Sequence, residues 1–316
     1  IWSNMAATND NQGLEDFLEN EGTPAGALVL TALMTTATQP LTCVRLLMQV
    51  GHEPIPPAPS RTFLGTKVLR LPSFFQYANH IKKLDGWSGL YRGLLPRVYS
   101  SMIGTLVNHT VLQAISTKGN TLVPIVNREN KTKQEELKEF AQETCMQVVA
   151  KSSALIISHP FYVISVRMMV QFVGKETIYS GLRTSIREIY NNEGIAGFFS
   201  GVIPRLIGEI LSLLLFRGAC FLVSKYAIDS EVSRRKEVQV YTNGLFQYVA
   251  GVVTYPFTLV SNMMIVNHVG LAAGELPAMP VFSGWTDCFK HLRKTGNLWR
   301  GSSMFRRTVR QVKGNK

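Results

Sequence analysis

The sequence predicts an all-α membrane protein, in which a bundle of helices surrounds a polar interior. Hydrophobic residues make up 46% of the 316 residues and charged residues only 17%, against about 25% charged residues in a typical soluble domain. Five long stretches are poor in charge, namely residues 25–50, 94–115, 144–173, 202–228 and 241–270. A helix needs about 20 residues to cross a hydrocarbon core of about 30 Å. We therefore expect five membrane-spanning helices.

Four of these stretches contain Lys, Arg, Asp or Glu. The first holds Arg45 alone, and the second has Arg97 near its start. The third and fourth hold more ionisable side chains: Lys151, His159 and Arg167, then Arg205, Glu209, Arg217 and Lys225. An ionised group at membrane depth costs about 2.5–3.5 kcal/mol and usually faces a bundle interior or a watery cavity. The pattern therefore indicates a polar interior and not a simple membrane anchor.

A large soluble helical protein is the alternative, and the fifth stretch argues against it. Residues 241–270 contain no Lys, Arg, Asp or Glu. A soluble amphipathic helix shows a polar face with a period of 3.6 residues, whereas this stretch offers only a few uncharged polar side chains for one.

The chain divides into an acidic tail, residues 1–23, and a single membrane domain, residues 24–316. The tail carries five acidic residues and neither Lys nor Arg, although the whole chain has a net charge of +12. A cleavable mitochondrial presequence would be rich in Arg, and a secretory signal would begin with a basic region and an apolar core. We expect neither here, and we expect translation to start at Met5.

Two motifs recur three times along the membrane domain, in repeats at about residues 24–118, 144–228 and 242–301. The first motif places Pro40, Pro160 and Pro256 inside charge-poor stretches, 120 and 96 residues apart. The second is rich in glycine and follows each proline, as in the stretch from Asp85 to Arg97 and the stretch from Glu193 to Arg205. Such periods indicate a repeat architecture. Each repeat therefore predicts a span kinked at its proline, a surface segment, and a glycine-rich entry into a second span.

The segments between the motifs are more polar. Residues 178–192 and 282–294 predict short amphipathic surface helices, and residues 127–139 predict a solvated loop.

At these residues the chain resembles the mitochondrial carrier family. That family has three repeats of about 100 residues, each with a proline motif and a later acid-glycine motif, and the resemblance covers about residues 24–301. It implies a six-helix barrel with pseudo-threefold symmetry. It also implies a gate in which the acid two residues after each proline pairs with the base of the next repeat.

The gate positions depart from the family pattern. The acids are replaced by Thr42, Tyr162 and Thr258, and the partnering bases are Arg45, Ser165 and Ser261, so one base of three remains. The motif for the opposite gate, residues 221–225, keeps an aromatic residue and a base but has Leu222 in place of its acid. Since alternating access needs two gates that open and close, we expect no solute exchange.

The second departure follows Gly301, where a sixth span should begin. Residues 302–316 contain five bases and cannot form an apolar span. We expect a basic tail and a five-helix barrel that is open to lipid on one side. A longer natural chain is the alternative.

Both departures resemble one branch of the family, the mitochondrial carrier homologues of the outer mitochondrial membrane. The stretches 49–57, 208–213 and 255–262 carry this similarity. The resemblance implies a multi-pass protein of that membrane, without a cleavable presequence, that inserts tail-anchored and other helical membrane proteins. It further implies lipid scrambling and docking of the pro-apoptotic protein truncated Bid.

Ionisable and polar groups within the spans are the candidates for lining a groove. Arg45 ranks first, because its acidic partner is missing. The others are Glu209, Arg217, Lys151, Arg167, Gln147, Arg205 and Arg97. Glu209 could instead pair with Arg205 one helical turn away, and Lys151, Arg167, Arg97 and Arg205 could extend to the membrane interface.

No other chemistry is predicted. The four cysteines lie far apart and form no zinc or disulfide pattern. Nucleotide-binding loops and metalloprotease motifs are absent from the sequence, so we expect no cofactor, no metal and no enzyme. The basic tail favours anionic lipid over nucleic acid. The partners we expect are membrane lipids and helical clients. A docking scaffold and an inner-membrane solute carrier stay open as alternatives.

Overall fold

The computed structural model describes residues 24–61, 67–118, 133–226, 236–303, 305 and 307. Five long helices dominate it: α1 (Pro24–Val50), α3 (Leu94–Lys118), α4 (Lys133–Val170), α6 (Val202–Tyr226) and α7 (Lys236–Val266). Three shorter helices pack beside them: α2 (Phe74–Leu90), α5 (Leu182–Gly197) and α8 (Trp285–Lys294). The all-α prediction is confirmed, with one small hairpin added.

Four of the long helices are long and apolar enough to span a membrane. The qualifying segments are Ala25–Val50, Gln134–Val170, Val202–Val223 and Tyr241–Val266. Helix α3 has 25 residues, enough in length, but it is not apolar enough to qualify, and it carries Ser100, Ser101, Thr105 and Asn108 on successive turns. Five long helices are therefore present, four of them with the length and composition of a span, and a fifth span at α3 stays a prediction.

Neighbouring helices follow chain order around the bundle. Helix α1 packs against α3, α3 against α4, α4 against α6, and α6 against α7. The main buried cluster lies where α1 and α4 end, with α2, α5 and the end of α7 packed around it. The hydrophobic core therefore sits at one end of the bundle, and this arrangement leaves room between the other ends of the helices.

The repeat prolines and glycines adopt the same geometry in each repeat. Pro40, Pro160 and Pro256 lie inside α1, α4 and α7. Gly86, Gly194 and Gly296 have φ of 70°, 65° and 70°, a left-handed conformation that favours glycine. In the first two repeats this glycine bends the short helix, α2 or α5, before its last turn. The threefold repeat read from the sequence is thus present in the backbone.

The surface helices predicted at residues 178–192 and 282–294 are present as α5 and α8, whereas α2 was not predicted. The prediction of a loop at residues 127–139 is wrong in its second half, because α4 begins at Lys133. Glu135 and Glu136 lie in its first turn, where the positive end of the helix dipole favours acids. Residues 127–132 lie outside the described part of the chain.

A two-stranded antiparallel hairpin was also not predicted. Strand β1 (Ala58–Arg61) pairs with β2 (Lys67–Arg70), with Ser60 opposite Val68. Four-residue strands beside a proline-rich segment give too short a pattern for alternation to indicate a strand.

The segment after Gly301 returns to the first repeat. Arg307 forms an ion pair with Glu53, and its backbone oxygen accepts a bond of 2.9 Å from the nitrogen of Leu71. The ring of Phe305 lies 6.3 Å from that of Phe74. This corrects the prediction of a lipid-facing tail for Arg307, which is buried. Residues 308–316 lie outside the described residues.

Candidate functional site: a polar cavity closed at one end

A cavity of about 420 Å³ lies between α1, α3, α4 and α6. Four of the predicted groove residues line it, Arg97, Lys151, Arg205 and Glu209. Most of the remaining lining is uncharged and polar: Thr31, Ser100, Ser101, Thr105, Asn108, Ser158 and Tyr162. The serines and threonines of α3, which make this helix too polar to count as an ordinary span, therefore face this cavity.

Lys151 and Glu209 form an ion pair across the cavity wall. Nζ of Lys151 lies 2.9 Å from Oε2 of Glu209, and the two side chains are 37% and 42% exposed. The alternative that Glu209 pairs with Arg205 on its own helix is wrong, because its partner lies on α4. Since the pair is partly hydrated, its contribution to stability is small, about 1 kcal/mol or less. The cavity lining contains two further cations, Arg97 and Arg205, which this ion pair does not neutralise.

Arg205 is held by two aromatic side chains of α4. Its guanidinium carbon lies 3.7 Å from the ring centroid of Tyr162, and Nη1 donates to Nδ1 of His159 at 3.2 Å. Nδ1 must then be the acceptor, so Nε2 carries the proton and donates to the oxygen of Ser200 at 2.9 Å. His159 is thus a structural histidine with both ring nitrogens bonded.

Arg97 enters the same end of the cavity from the first turn of α3. Its Nε is buried and has no hydrogen-bond partner among the residues that the structure describes. Arg97 and Arg205 therefore both line the cavity, as predicted groove residues.

The other predicted groove residues lie elsewhere. Arg167 is fully buried in an ion pair with Glu193, and its Nε donates to the oxygen of Ile265 at 3.1 Å. Arg167 is therefore part of the packed end and neither lines the groove nor extends to the interface. Arg217 bonds to Glu143 at 2.8 Å and to Thr144 at 3.0 Å.

Gln147 is half-buried on α4 and Arg45 is exposed on α1, and neither is among the residues that line the cavity. The structure does not bring Arg45, the first candidate, into the groove. It lies on a turn whose neighbours are buried, so its side chain points away from the core.

A chain of neutral hydrogen bonds joins α1, α4 and α7 at the closed end of the cavity. Tyr162 Oη donates to Asn262 Oδ1 at 2.7 Å, and Asn262 Nδ2 donates to Gln49 Oε1 at 2.7 Å. Gln49 Nε2 then donates to Tyr255 Oη at 3.0 Å, and Tyr255 donates to the oxygen of Arg300 at 2.5 Å. We call these residues the closing network. The sequence analysis names Tyr162 as a replaced gate acid but does not predict this network.

The serines that replace two gate bases bind the backbone of the preceding repeat. Ser165 Oγ donates to the oxygen of Gly93 at 2.8 Å, and Ser261 Oγ donates to that of Gly201 at 2.8 Å. A Cβ on Gly93 would lie 2.7 Å from the oxygen of Ser165, so the contact requires glycine there. Both serines are buried in this packing.

Among the described residues, the side chains that replace the acids in the first and third repeats form no hydrogen bond across the bundle. Thr42 donates to the oxygen of Thr38 in its own helix at 3.1 Å, and Thr258 is exposed. The predicted loss of the salt-bridge ring is therefore visible in the geometry. Of the opposite gate, the side chain of Lys225 lies outside the described residues.

Burial also shifts the pKa values of two groups outside the long helices, Arg300 and Tyr77. Arg300 donates from Nε to the oxygen of Gln49 at 2.8 Å, and its burial lowers the pKa of the guanidinium from the ordinary value. Burial raises the pKa of the Tyr77 hydroxyl, which donates to the oxygen of His52 at 3.0 Å. These groups seal the packed end of the bundle.

Within the described ranges, no three His, Cys, Asp or Glu side chains lie close enough together to hold a metal ion. The four cysteines are free thiols. The expectation of no cofactor or metal stays a prediction.

Comparison with known proteins decides the family. The family model described as mitochondrial carrier protein matches residues 23–119 and 137–228. The chain belongs to the mitochondrial carrier family. Mitochondrial carrier homolog 2 of Homo sapiens is 45% identical over 287 residues, which cover 90% of this chain and 94% of the relative. Mitochondrial carrier homolog 1 of Mus musculus is 37% identical over 305 residues, 91% of this chain and 77% of the relative.

A more distant relative, the mitochondrial thiamine pyrophosphate carrier of Homo sapiens, is 24% identical over 280 residues, 85% of this chain and 80% of the relative. The resemblance to the carrier family and to its homologue branch is confirmed. With its apolar helices, the chain is a mitochondrial membrane protein of a family of transporters.

Proposed function

We propose that this mitochondrial carrier homologue resides in the outer mitochondrial membrane and inserts α-helical, tail-anchored proteins into it. The observation that carries the proposal is the polar cavity between α1, α3, α4 and α6, which lies within a bundle of apolar helices. It gives the polar flank of a client a path through the hydrocarbon region.

The energetic argument concerns the client's polar groups. Each unsatisfied polar group in hydrocarbon costs several kcal/mol, and the hydroxyls of Ser100, Ser101 and Thr105 offer replacement partners along α3. The client's apolar helix gains by partitioning into lipid, which drives the net step. No bond chemistry is needed.

The closing network favours a fixed cavity over alternating access. Tyr162, Asn262 and Gln49 hold α4, α7 and α1 together by neutral bonds of 2.7 Å. Solute exchange would require this end to open in every cycle, at the cost of several bonds and with no ion pair for a solute to compete with. A solute carrier is therefore the less favoured alternative.

Lipid scrambling is the second candidate, and the Lys151–Glu209 pair favours it. A cation and an anion 2.9 Å apart in a half-exposed cavity wall match the two charges of a zwitterionic head group. Docking of truncated Bid, which the family resemblance implies, stays a prediction.

Reconstitution tests the proposal. Liposomes that contain the purified chain and no other protein are mixed with a tail-anchored client, and insertion is scored by protection of its C-terminal flank from protease. A protein-free liposome and one with the thiamine pyrophosphate carrier are the controls. We expect protection only with this chain. Client binding without protection would favour the docking scaffold, and saturable exchange of a small solute would favour the carrier.

A further inference from the structure

Two arginines occupy equivalent positions in the first and second repeats. Arg97 and Arg205 each follow a proline and stand four residues after Gly93 and Gly201. Both line the cavity at the end nearest the closing network, because Tyr162 belongs to both the cavity wall and the network. The corresponding residue of the third repeat is Phe305. An arginine therefore occupies this position in the first and second repeats but not in the third.

No carboxylate neutralises this pair within the described ranges. Glu209, the one acid of the lining, is bonded to Lys151. Glu209 stands one helical turn after Arg205 on α6, yet its ion pair is with Lys151 of α4. Both arginines line the same cavity, together with Tyr162.

Contacts with α4 hold the guanidinium group of Arg205 in place, and Arg205 lines the cavity. The ring of Tyr162 covers one face of the guanidinium group. Nδ1 of His159 accepts a hydrogen bond from Nη1 of Arg205, because the proton of the His159 ring is on Nε2. Arg97 has a buried Nε without a hydrogen-bond partner in the described part of the chain. Two cations at membrane depth without an acid cost several kcal/mol, and an anion between them would offset that cost.

We propose that Arg97 and Arg205 form a subsite for a phosphate group, supplied by a lipid head group that enters the cavity. Guanidinium groups bind phosphate oxygens with paired, charge-assisted hydrogen bonds. This rests on the proposed function, since it names the ligand of the same cavity, and it makes the closed end the place where a head group pauses.

The test measures lipid binding by the purified full chain in detergent, without any client. Native mass spectrometry counts bound phosphatidylcholine and, as a phosphate-free control, diacylglycerol with the same acyl chains. Inorganic phosphate is tested separately by thermal shift against chloride at equal ionic strength. We compare Arg97→Gln, Arg205→Gln and the matched control Arg217→Gln, which removes a cation outside the cavity.

We expect phosphatidylcholine to bind more tightly than diacylglycerol. Arg97→Gln and Arg205→Gln should each lower the affinity for phosphatidylcholine about tenfold, as the loss of a charge-assisted hydrogen bond would. Arg217→Gln should bind like the parent chain. Arg97→Lys and Arg205→Lys keep the charge and should weaken binding less, which guards against misfolded Gln variants. Stabilisation by inorganic phosphate alone would assign the site to free phosphate and overturn the lipid source. Equal binding of phosphatidylcholine by all variants would overturn the subsite.

The insertion assay separates this inference from the proposed function. Lost lipid binding with normal client insertion supports the subsite and places it outside the insertion path. Normal lipid binding by both cavity variants overturns the subsite even where insertion fails.

Discussion

The hydroxyl of Tyr162 donates a hydrogen bond of 2.7 Å to the side-chain oxygen of Asn262. Tyr162 stands at the acid position of the second repeat, and Asn262 follows the base position of the third, Ser261. A neutral bond therefore lies where the family resemblance places an ion pair. Because it extends through Gln49 to Tyr255, it holds three helices in one arrangement without any charge.

The closing network should contribute to stability independently of salt. Asn262→Ala removes two bonds and leaves Oη of Tyr162 and Oε1 of Gln49 without these partners, so we expect a loss of about 1–3 kcal/mol in the free energy of unfolding. Unfolding in mixed detergent at low and high salt measures it. The control Thr258→Ala changes an exposed residue four positions earlier and should shift stability by about 0.5 kcal/mol or less. Equal effects of the two variants would contradict the role of the network.

The ion pair of Arg167 and Glu193 should be structural. Arg167 is fully buried and its partner is 25% exposed, so Arg167→Met leaves a carboxylate in a poorly hydrated place and should cost about 3 kcal/mol. Arg217→Met is the matched control, because its partner Glu143 is 63% exposed, and it should cost about 1 kcal/mol or less. Chemical unfolding of both variants measures these losses in the free energy of unfolding. An Arg167→Met chain as stable as the parent would place this arginine outside the core.

Glu209 should control which clients pass. Glu209→Arg leaves Lys151 without its partner and makes the cavity strongly cationic, so clients with basic C-terminal flanks should insert several-fold more slowly than clients with acidic flanks. The control Glu143→Arg makes the same charge change outside the cavity. Both are compared in the liposome assay at equal protein level. Unchanged selectivity in Glu209→Arg would show that the cavity is not the path.

Cysteine reactivity should follow burial. Burial raises the pKa of the Cys288 thiol to about 12, so the reactive thiolate is a minute fraction at pH 8 and grows only as the pH approaches 12. Cys145 is exposed and should react first with a maleimide in detergent. Mass spectrometry of the labelled chain, native and denatured, checks the order. Rapid labelling of Cys288 in the native chain would contradict its buried position.

The sequence predicts what depends on local pattern. Charge-poor stretches predicted the long helices, and the spacing of Pro40, Pro160 and Pro256 predicted the repeats. Helix α2 was not predicted because Gly86 interrupts its helical sequence pattern, although the helix bends at Gly86 and continues to Leu90.

The groove residues were harder to place, because a single helix does not specify the partners of its side chains. Glu209 has a suitable neighbour in Arg205 on its own helix, yet it bonds to Lys151 on α4. Arg45 and Arg167 have the same residue types as true lining residues and differ only in the direction that packing gives them. Gln49 and Tyr255 carry no charge, so nothing in the sequence indicated that they bond across repeats.

Photo-cross-linking during insertion tests the central claim most directly. A photoreactive amino acid at Thr105, which lines the cavity, is compared with one at Leu214, which is exposed on α6, while a tail-anchored client enters liposomes. We predict cross-links from Thr105 to the client's polar C-terminal flank that appear and then disappear as protection develops. Cross-links from Leu214 alone, or none from Thr105 while insertion proceeds, would contradict a path through the polar cavity.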